Sequence, residues 1–245
     1  MMSGSRGRDM TRNYPEISIQ SAIRPSPWWI EAESKDPQRG RLIWAFLPHV
    51  DQIPYTLIPI GRAQATEHKE VTVRIEPLRI KQPKSHPTLP VAGMPPYPGE
   101  VRIVQRAKRR PALILGEGGF LLPKEMTQGR PGWQVSPTIL VAPYYGGEQD
   151  GTRAGFPPPF VDSVRRCEFP QFMYELLPIG TGESLLYLNH IQPIGKHHDS
   201  IELTKFSLSE DAMAILDEWI TWITTGLLPK NGLIFPVRQE LLELD

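Results

Sequence analysis

Proline is the feature that most limits what this chain can fold into. The sequence contains 27 prolines among 245 residues, which is more than twice the usual share of about 5%. Each proline fixes φ and removes a backbone hydrogen-bond donor, so frequent prolines interrupt long helices and central strands. The sequence therefore favours short strands joined by ordered loops.

Charge and cysteine content narrow the class of protein further. The 27 Lys and Arg residues balance 27 Asp and Glu residues, so any site for a polyanion must be local. The single cysteine, Cys167, excludes an internal disulfide and fits a reducing compartment. No apolar run reaches the roughly 18 residues of a membrane span, and the N-terminus lacks the apolar core of a signal peptide. We expect a cytoplasmic protein that does not associate with membranes.

The first 97 residues predict a tail, a β extension and a linker. Residues 1–26 are polar with scattered arginines, which indicates a disordered basic tail. Residues 27–97 then contain three strand-like runs, at 40–47, 55–60 and 70–76. The last run alternates apolar and polar residues, which predicts a half-buried antiparallel strand. Six prolines in residues 81–98 indicate a linker or surface loop.

Four further runs predict a second β unit. A Pro-Gly pair opens an alternating strand at 98–104, and the basic pair Arg109-Arg110 opens an apolar strand that ends at 115. Apolar strands follow at 138–145 and 184–194. This spacing and the basic pair favour a small closed β-barrel with a basic end. The intervening Gly- and Pro-rich segments, 117–136 and 146–170, read as long loops, which are often functional on a small barrel.

An amphipathic helix is predicted near the C-terminus. Ser207 and Glu210 have the spacing of a capping box, and Gly226 is placed to end the helix. Between them, apolar residues recur at intervals of three and four positions: Ala212, Ile215, Leu216, Trp219, Ile220 and Ile223. This stripe should be buried, with Trp219 at its centre. Residues 229–245 are then a C-terminal tail.

The order of these segments resembles the MazF/PemK toxin family. The blocks that show it are Pro98-Gly99-Glu100, Arg109-Arg110-Pro111-Ala112-Leu113-Ile114, Thr138-Ile139-Leu140-Val141-Ala142-Pro143, and 186–194 with the helix after it. The resemblance covers residues 98–228. It implies a mainly β fold, an SH3-like barrel with a C-terminal amphipathic helix, here preceded by the N-terminal β extension. It also implies a homodimer that cleaves single-stranded RNA without metal or cofactor and has an antitoxin as protein partner.

The resemblance also implies roles for individual residues. The catalytic arginine of the family falls on Arg110, and its partner threonine falls on Tyr145. Tyrosine places its hydroxyl several ångströms further from the backbone than threonine does. The basic residue of the family's late strand falls on Gln192, which is uncharged.

RNA cleavage by internal attack sets the chemistry that a site must supply. It needs a base for the 2′-hydroxyl, a cation at the phosphorane oxygens and an acid for the leaving oxygen. The Arg110 guanidinium can supply the cation, and His190 is the acid/base candidate in the late strand. Further candidates are cations that add local positive field and aromatic residues that can stack bases: Arg106, Lys108, Arg109, Trp133, Tyr144 and Tyr145.

Each of these residues also has a structural interpretation. The arginine pair fits a solvated strand start, the tyrosines fit packing at the rim of a barrel, and His190 fits a structural histidine. A metal site is not expected, because the single cysteine and the scattered acids lack ligand spacing. Two hypotheses follow: a toxin-type endoribonuclease, or a catalytically inactive barrel of the same kind that binds nucleic acid or protein.

Overall fold

The chain forms two compact units in the computed structural model. The structure describes residues 14–81, 91–95, 99–147, 155–180, 182–196 and 200–244. The larger unit comprises residues 1–46 and 109–245, and the smaller one comprises residues 47–108. The division therefore differs from the predicted boundary at residue 98, since residues 41–46 belong to the larger unit and 98–108 to the smaller.

Short strands dominate the described residues, as the proline content predicts. In chain order they are β1 (Trp29–Glu31), β2 (Arg41–Pro48), β3 (Tyr55–Gly61), β4 (Thr72–Pro77), β5 (Arg102–Val104), β6 (Ala107–Gly116), β7 (Thr138–Gly146), β8 (Phe172–Leu176), β9 (Glu183–Tyr187), β10 (Gln192–Gly195) and β11 (Ile201–Leu208). The helices are α1 (Lys124–Thr127), α2 (Gly132–Val135), α3 (Pro158–Arg165), α4 (Glu210–Thr225) and α5 (Ile234–Glu243), with 3₁₀ turns at Ile19–Ile23 and Leu188–His190. The segments predicted as two long loops thus contain α1, α2 and α3.

The larger unit is built on one curled antiparallel sheet. The strand order is β1-β11-β2-β6-β7-β9-β8, and β10 also pairs with β7. This half-barrel sheet with its C-terminal helix confirms the predicted mainly β, barrel-like fold. Strands β1 and β2 come from the segment predicted as an N-terminal extension, so that part of the extension is built into the main sheet.

The centre of the sheet is covered on both faces. Leu113 of β6 pairs with Ala142 of β7, and Ile114 pairs with Val141. Neighbouring residues of a strand point to opposite faces, yet all four are fully buried. This explains why β6 reads as an almost unbroken apolar run rather than an alternating one.

Helix α4 closes the core as the apolar stripe predicts. Trp219 is fully buried, and its Nε1 donates to the Pro170 carbonyl at 2.9 Å. Gly226 ends the helix in the left-handed region with φ 73°, a conformation that glycine adopts without strain. The predicted cap at Ser207 is wrong, because Ser207 lies in β11 and the Ser209 Oγ accepts from the Ala212 N–H instead.

Both predicted tails contain folded segments. Residues 1–13 of the N-terminal tail lie outside the described residues, but Ile19 is buried and the Tyr14 hydroxyl donates to the Leu176 carbonyl at 2.9 Å. In the C-terminal tail, α5 buries Ile234. The carboxylate of Glu218 in α4 accepts from the backbone N–H groups of Leu233, which precedes α5, and Ile234, its first residue. That cap comes from a residue distant in sequence, so local signals do not predict α5.

The smaller unit contains a three-stranded antiparallel sheet of order β4-β3-β5. Strand β5, predicted to open the barrel, pairs with β3 here. Strand β4 forms as predicted, but its apolar side chains are not half-buried: Val73 is 36% exposed and Ile75 56%. Alternation shows which residues share a face, and it does not show whether anything covers that face.

Replacing Trp219 with alanine tests the packing of α4. The change leaves a cavity in the core and removes the bond to the Pro170 carbonyl, so the free energy of unfolding should fall by about 3 to 5 kcal/mol. Urea denaturation of wild type and Trp219→Ala measures the difference. Thr221→Ala, at an exposed position of the same helix, is the matched control and should change stability little. Equal stability of wild type and Trp219→Ala would show that this helix face is not core.

Candidate functional site

Three of the predicted site residues lie together in the larger unit. The Arg110 guanidinium carbon is 4.1 Å from the centroid of the Tyr145 ring. The Tyr145 hydroxyl is 3.2 Å from Nδ1 of His190. Each of the three side chains is partly exposed, so this cluster of cation, phenol and imidazole is accessible to a ligand.

Strand pairing explains why these residues meet. Ala112 of β6 pairs with Pro143 of β7, and extending that antiparallel register by two residues places Arg110 opposite Tyr145. On its other side β7 pairs with β9, where Leu185 is the partner of Tyr145. One 3₁₀ turn after β9 then places His190 beside the Tyr145 hydroxyl.

Tyr187 is a fourth member of the cluster that sequence reasoning missed. Its ring centroid lies 4.2 Å from that of Tyr145 and 5.2 Å from that of His190. Burial raises the pKa of Tyr187 to about 12; Tyr145 acts in the same direction and Arg110 opposes both. Tyr187 is therefore a neutral phenol that packs the cluster from the core side. The sequence offered one signal for including Tyr187. It lies two residues after Leu185, the partner of Tyr145, and therefore on the same face of β9.

Arg109 and Arg110 have different surroundings. Arg109 forms an ion pair with Glu202 and lies 4.5 Å over the Trp44 ring. For Arg110, no carboxylate partner is found among the residues that the structure describes, and its neighbours are the phenols Tyr145 and Tyr187. Alternation along β6 sends the two side chains to opposite faces. The cluster on the Arg110 face is therefore cationic, whereas the charge of Arg109 is offset by Glu202.

The other residues predicted for RNA binding or for the late strand have different surroundings. Arg106 and Lys108 are exposed residues of the smaller unit. Trp133 lies in α2, and its side chain is outside the part of the structure that is described. Gln192 is buried, and its amide Nε2 donates a long hydrogen bond of 3.4 Å to the His190 carbonyl.

Tyr144 occupies the core rather than the surface. It is 2% exposed, and its hydroxyl lies 3.0 Å from Oε1 of Glu175. A base cannot stack on a ring in this position, which removes Tyr144 from the predicted RNA contacts. It points to the opposite face of β7 from its neighbour Tyr145.

Glu175 is a fully buried carboxyl group next to this strand. Trp28 Nε1 donates to its Oε2 at 2.8 Å, while Oε1 contacts the Tyr144 hydroxyl. Burial raises the pKa of Glu175 to about 8, although both hydrogen bonds act in the lowering direction. Burial, and next the proximity of Glu175, also raise the pKa of Tyr144 well above its ordinary value. At neutral pH Glu175 is therefore mainly protonated, and it joins the N-terminal segment to β7 and β8 as a neutral group.

Neither a metal cluster nor a membrane-spanning helix is found in the described residues. Across the described ranges, no group of three or more His, Cys, Asp and Glu side chains is arranged to hold a metal ion. In those ranges, too, no helix combines the length and the apolar character needed to cross a membrane.

Replacing Glu175 with glutamine tests its protonation. The folded-state pKa of about 8 exceeds the ordinary value of 4.5, so the folded state binds more protons than the unfolded state between these pH values. The free energy of unfolding should then fall as pH rises from 5 to 8, by up to about 1.4 kcal/mol per pH unit. Glutamine imitates the neutral acid, since its oxygen can accept from Trp28 and its amide N–H can donate to Tyr144.

Denaturation of both proteins at several pH values measures this effect. The Glu175→Gln protein should show a flatter dependence than wild type, and the difference between the two isolates Glu175 from other titrating groups. Parallel curves for the two proteins would mean that Glu175 does not change its protonation on folding in this pH range.

Comparisons with known proteins give no family assignment. No protein-family model matches the chain. No curated protein matches it, and no solved structure does. The resemblance of residues 98–228 to the MazF/PemK toxins therefore remains an expectation from the sequence.

Proposed function

We propose that this protein is a metal-independent endoribonuclease of the MazF/PemK-like kind that cleaves single-stranded RNA. The observation that supports it most is the grouping of Arg110, Tyr145 and His190, three residues chosen from the sequence for this chemistry. A cytoplasmic location, a homodimeric state and an antitoxin as partner belong to the same proposal, because the resemblance implies them.

Arg110 has the geometry needed to bind a phosphate. Its guanidinium carbon lies 4.1 Å from the centroid of the Tyr145 ring, and a guanidinium held by an aromatic ring can still offer its N–H groups as a fork for two phosphate oxygens. The aromatic contact also restricts the side chain, so less freedom is lost when a phosphate binds. In the reaction, the guanidinium would stabilise the negative charge that develops on the phosphorane oxygens.

His190 would act as the acid and base of the reaction, and Tyr145 would hold its imidazole in position. The 2′-oxygen attacks phosphorus while the bond to the 5′-oxygen breaks, which yields a 2′,3′-cyclic phosphate and a 5′-hydroxyl. The neutral imidazole of His190 would take the proton of the 2′-hydroxyl, and the resulting imidazolium would give a proton to the departing 5′-oxygen. The Tyr145 hydroxyl can either donate to Nδ1 of His190 or accept from it, so it can hold the imidazole in orientation in both proton states. Tyr145 is thus a positioning residue for His190 and for Arg110.

A second candidate function is binding without cleavage. It is favoured by the packing of Tyr145, whose ring is contacted by both Arg110 and Tyr187 and whose hydroxyl contacts His190. A side chain held in this way, where the family has a small threonine, suits a rigid platform for nucleic acid or a protein partner. Cleavage assays separate the two functions.

Removing Arg110 tests the catalytic proposal. Cleavage of single-stranded RNA should proceed in EDTA, and Arg110→Ala should lower the rate about 10²- to 10³-fold, since it removes the charge that meets the phosphorane. Arg110→Lys should restore little, because an ammonium cannot reproduce the fork. Arg109→Ala is the matched control and should retain most of the rate, as Arg109 faces Trp44 and Glu202.

Binding data complete this test. If the protein only binds RNA, wild type leaves the RNA intact, and Arg110→Ala weakens affinity modestly with a salt dependence lowered by about one phosphate contact. Intact RNA after hours with pure wild-type protein would contradict the nuclease and leave the binding function. Equal losses in Arg109→Ala and Arg110→Ala would contradict the assignment to the Arg110 face.

Removing only the hydroxyl of Tyr145 tests its positioning role. Tyr145→Phe keeps the ring beside Arg110 and His190 and loses only the hydroxyl contact with Nδ1 of His190. RNA affinity should therefore change little, while the cleavage rate falls about tenfold or more. The pH–rate profile should shift as well, because the contact between the hydroxyl and the imidazole is removed. An unchanged profile would show that the hydroxyl does not act on His190.

A further inference from the structure

Strand β4 forms an exposed edge of the smaller sheet. Among the strands of the described residues, its only hydrogen-bonded neighbour is β3. Its side chains are exposed along most of its length. An edge strand presents backbone donors and acceptors in a row that another strand can pair with.

Strand β4 carries part of the usual protection of an edge strand, since it is six residues long and includes the charged Arg74 and Glu76. Pro77 stands at the end of the strand, and lysine is absent from its six residues. On one face, Val73 and Ile75 are exposed next to β3, where Ile75 pairs with Leu57. On the other face, Arg74 and Glu76 form an ion pair of 2.6 Å.

We propose that the edge of β4 is the interface with a second copy of this chain, paired antiparallel about a two-fold axis at Ile75. In this register Arg74 of each copy lies opposite Glu76 of the other, so two oppositely charged cross-strand pairs form. Ile75 lies opposite its counterpart on the apolar face. Pro77 falls at the end of the ladder, where its missing N–H is tolerated.

The charges select this register over its neighbours. Centring the axis on Arg74 places two arginines opposite each other, and centring it on Glu76 does the same with two glutamates, which is unfavourable in both cases. A one-residue slip of one strand places charged side chains opposite apolar ones. The sequence of β4 is therefore self-complementary in one antiparallel register.

Pairing in this way converts two three-stranded sheets into one of six strands. Small isolated sheets gain little stability from their own contacts, so the added ladder stabilises the smaller unit. The interface is isologous, as closed two-fold assemblies require. It uses the smaller unit only, and it does not depend on the RNA-cleaving function proposed for the larger one.

Charge reversal tests the interface in the full-length protein. Sedimentation across a concentration series should show a dimer for wild type. Arg74→Glu and Glu76→Arg each replace two attractive pairs by two repulsive ones, so each should weaken dimerisation at least about tenfold. An equimolar mixture of the two variants should recover the dimer, because one chain then offers two acidic residues and the other two basic ones.

Two controls show whether an effect on dimerisation is specific to the edge of β4. Glu67→Arg makes the same charge change at an exposed position outside the strand and should leave the dimer intact. Arg74 is exposed and Glu76 is only partly buried, so both variants should still fold and give circular dichroism spectra that match wild type. A monomeric wild type, a dimer that survives both single substitutions, or a mixture that stays monomeric although both variants are folded would each overturn the proposal.

Discussion

The pairing of β6 with β7 is the constraint on which the site depends. It sets Ala112 opposite Pro143, and two residues further along the same register it brings the Arg110 guanidinium over the Tyr145 ring. A shift of one residue would turn Arg110 to the other face. There it would replace Arg109, which lies against Trp44 and Glu202. The buried residues of both strands fix the register, and the register decides which arginine of the pair faces Tyr145. Among the described residues this arginine has no carboxylate partner, whereas Arg109 pairs with Glu202.

Two buried titratable groups of the larger unit are neutral at neutral pH. Glu175 is protonated because burial disfavours its anion, and Tyr187 remains a phenol for the same reason. Tyr187 therefore packs against Tyr145 without placing a negative charge beside Arg110. Glu175 lies with Tyr144 on the opposite face of β7, where it joins the N-terminal segment to that strand.

The sequence predicted a large part of this arrangement. Strand positions followed from apolar runs and from proline and glycine punctuation, and the burial of Trp219 followed from helical periodicity. Arg110 and Tyr145 were chosen through the resemblance, and His190 was chosen because an imidazole in the predicted late strand can act as acid or base. What local patterns do not contain is the identity of each strand's neighbour. For that reason the place of β5 and the folding of both predicted tails were missed.

The burial of individual side chains could not be predicted from the sequence either. Tyr144 and Tyr145 are adjacent and chemically identical, but their side chains point to opposite faces of β7. Tyr144 contacts Glu175 in the core, whereas Tyr145 contacts Arg110. Similarly, Tyr187 became part of the cluster because β9 lies beside β7. Val73 and Ile75 show the converse, since their alternation predicted burial and the structure leaves their face exposed.

The central claim is that Arg110 and His190 act on RNA as one unit. A double-mutant cycle on single-turnover cleavage of single-stranded RNA in EDTA measures this directly, with wild type, Arg110→Ala, His190→Ala and the double variant. Residues that act as a unit give strongly non-additive losses. We predict that the double variant is about as slow as the slower single variant. Losses that multiply, or a wild-type protein that leaves RNA intact, would contradict the claim.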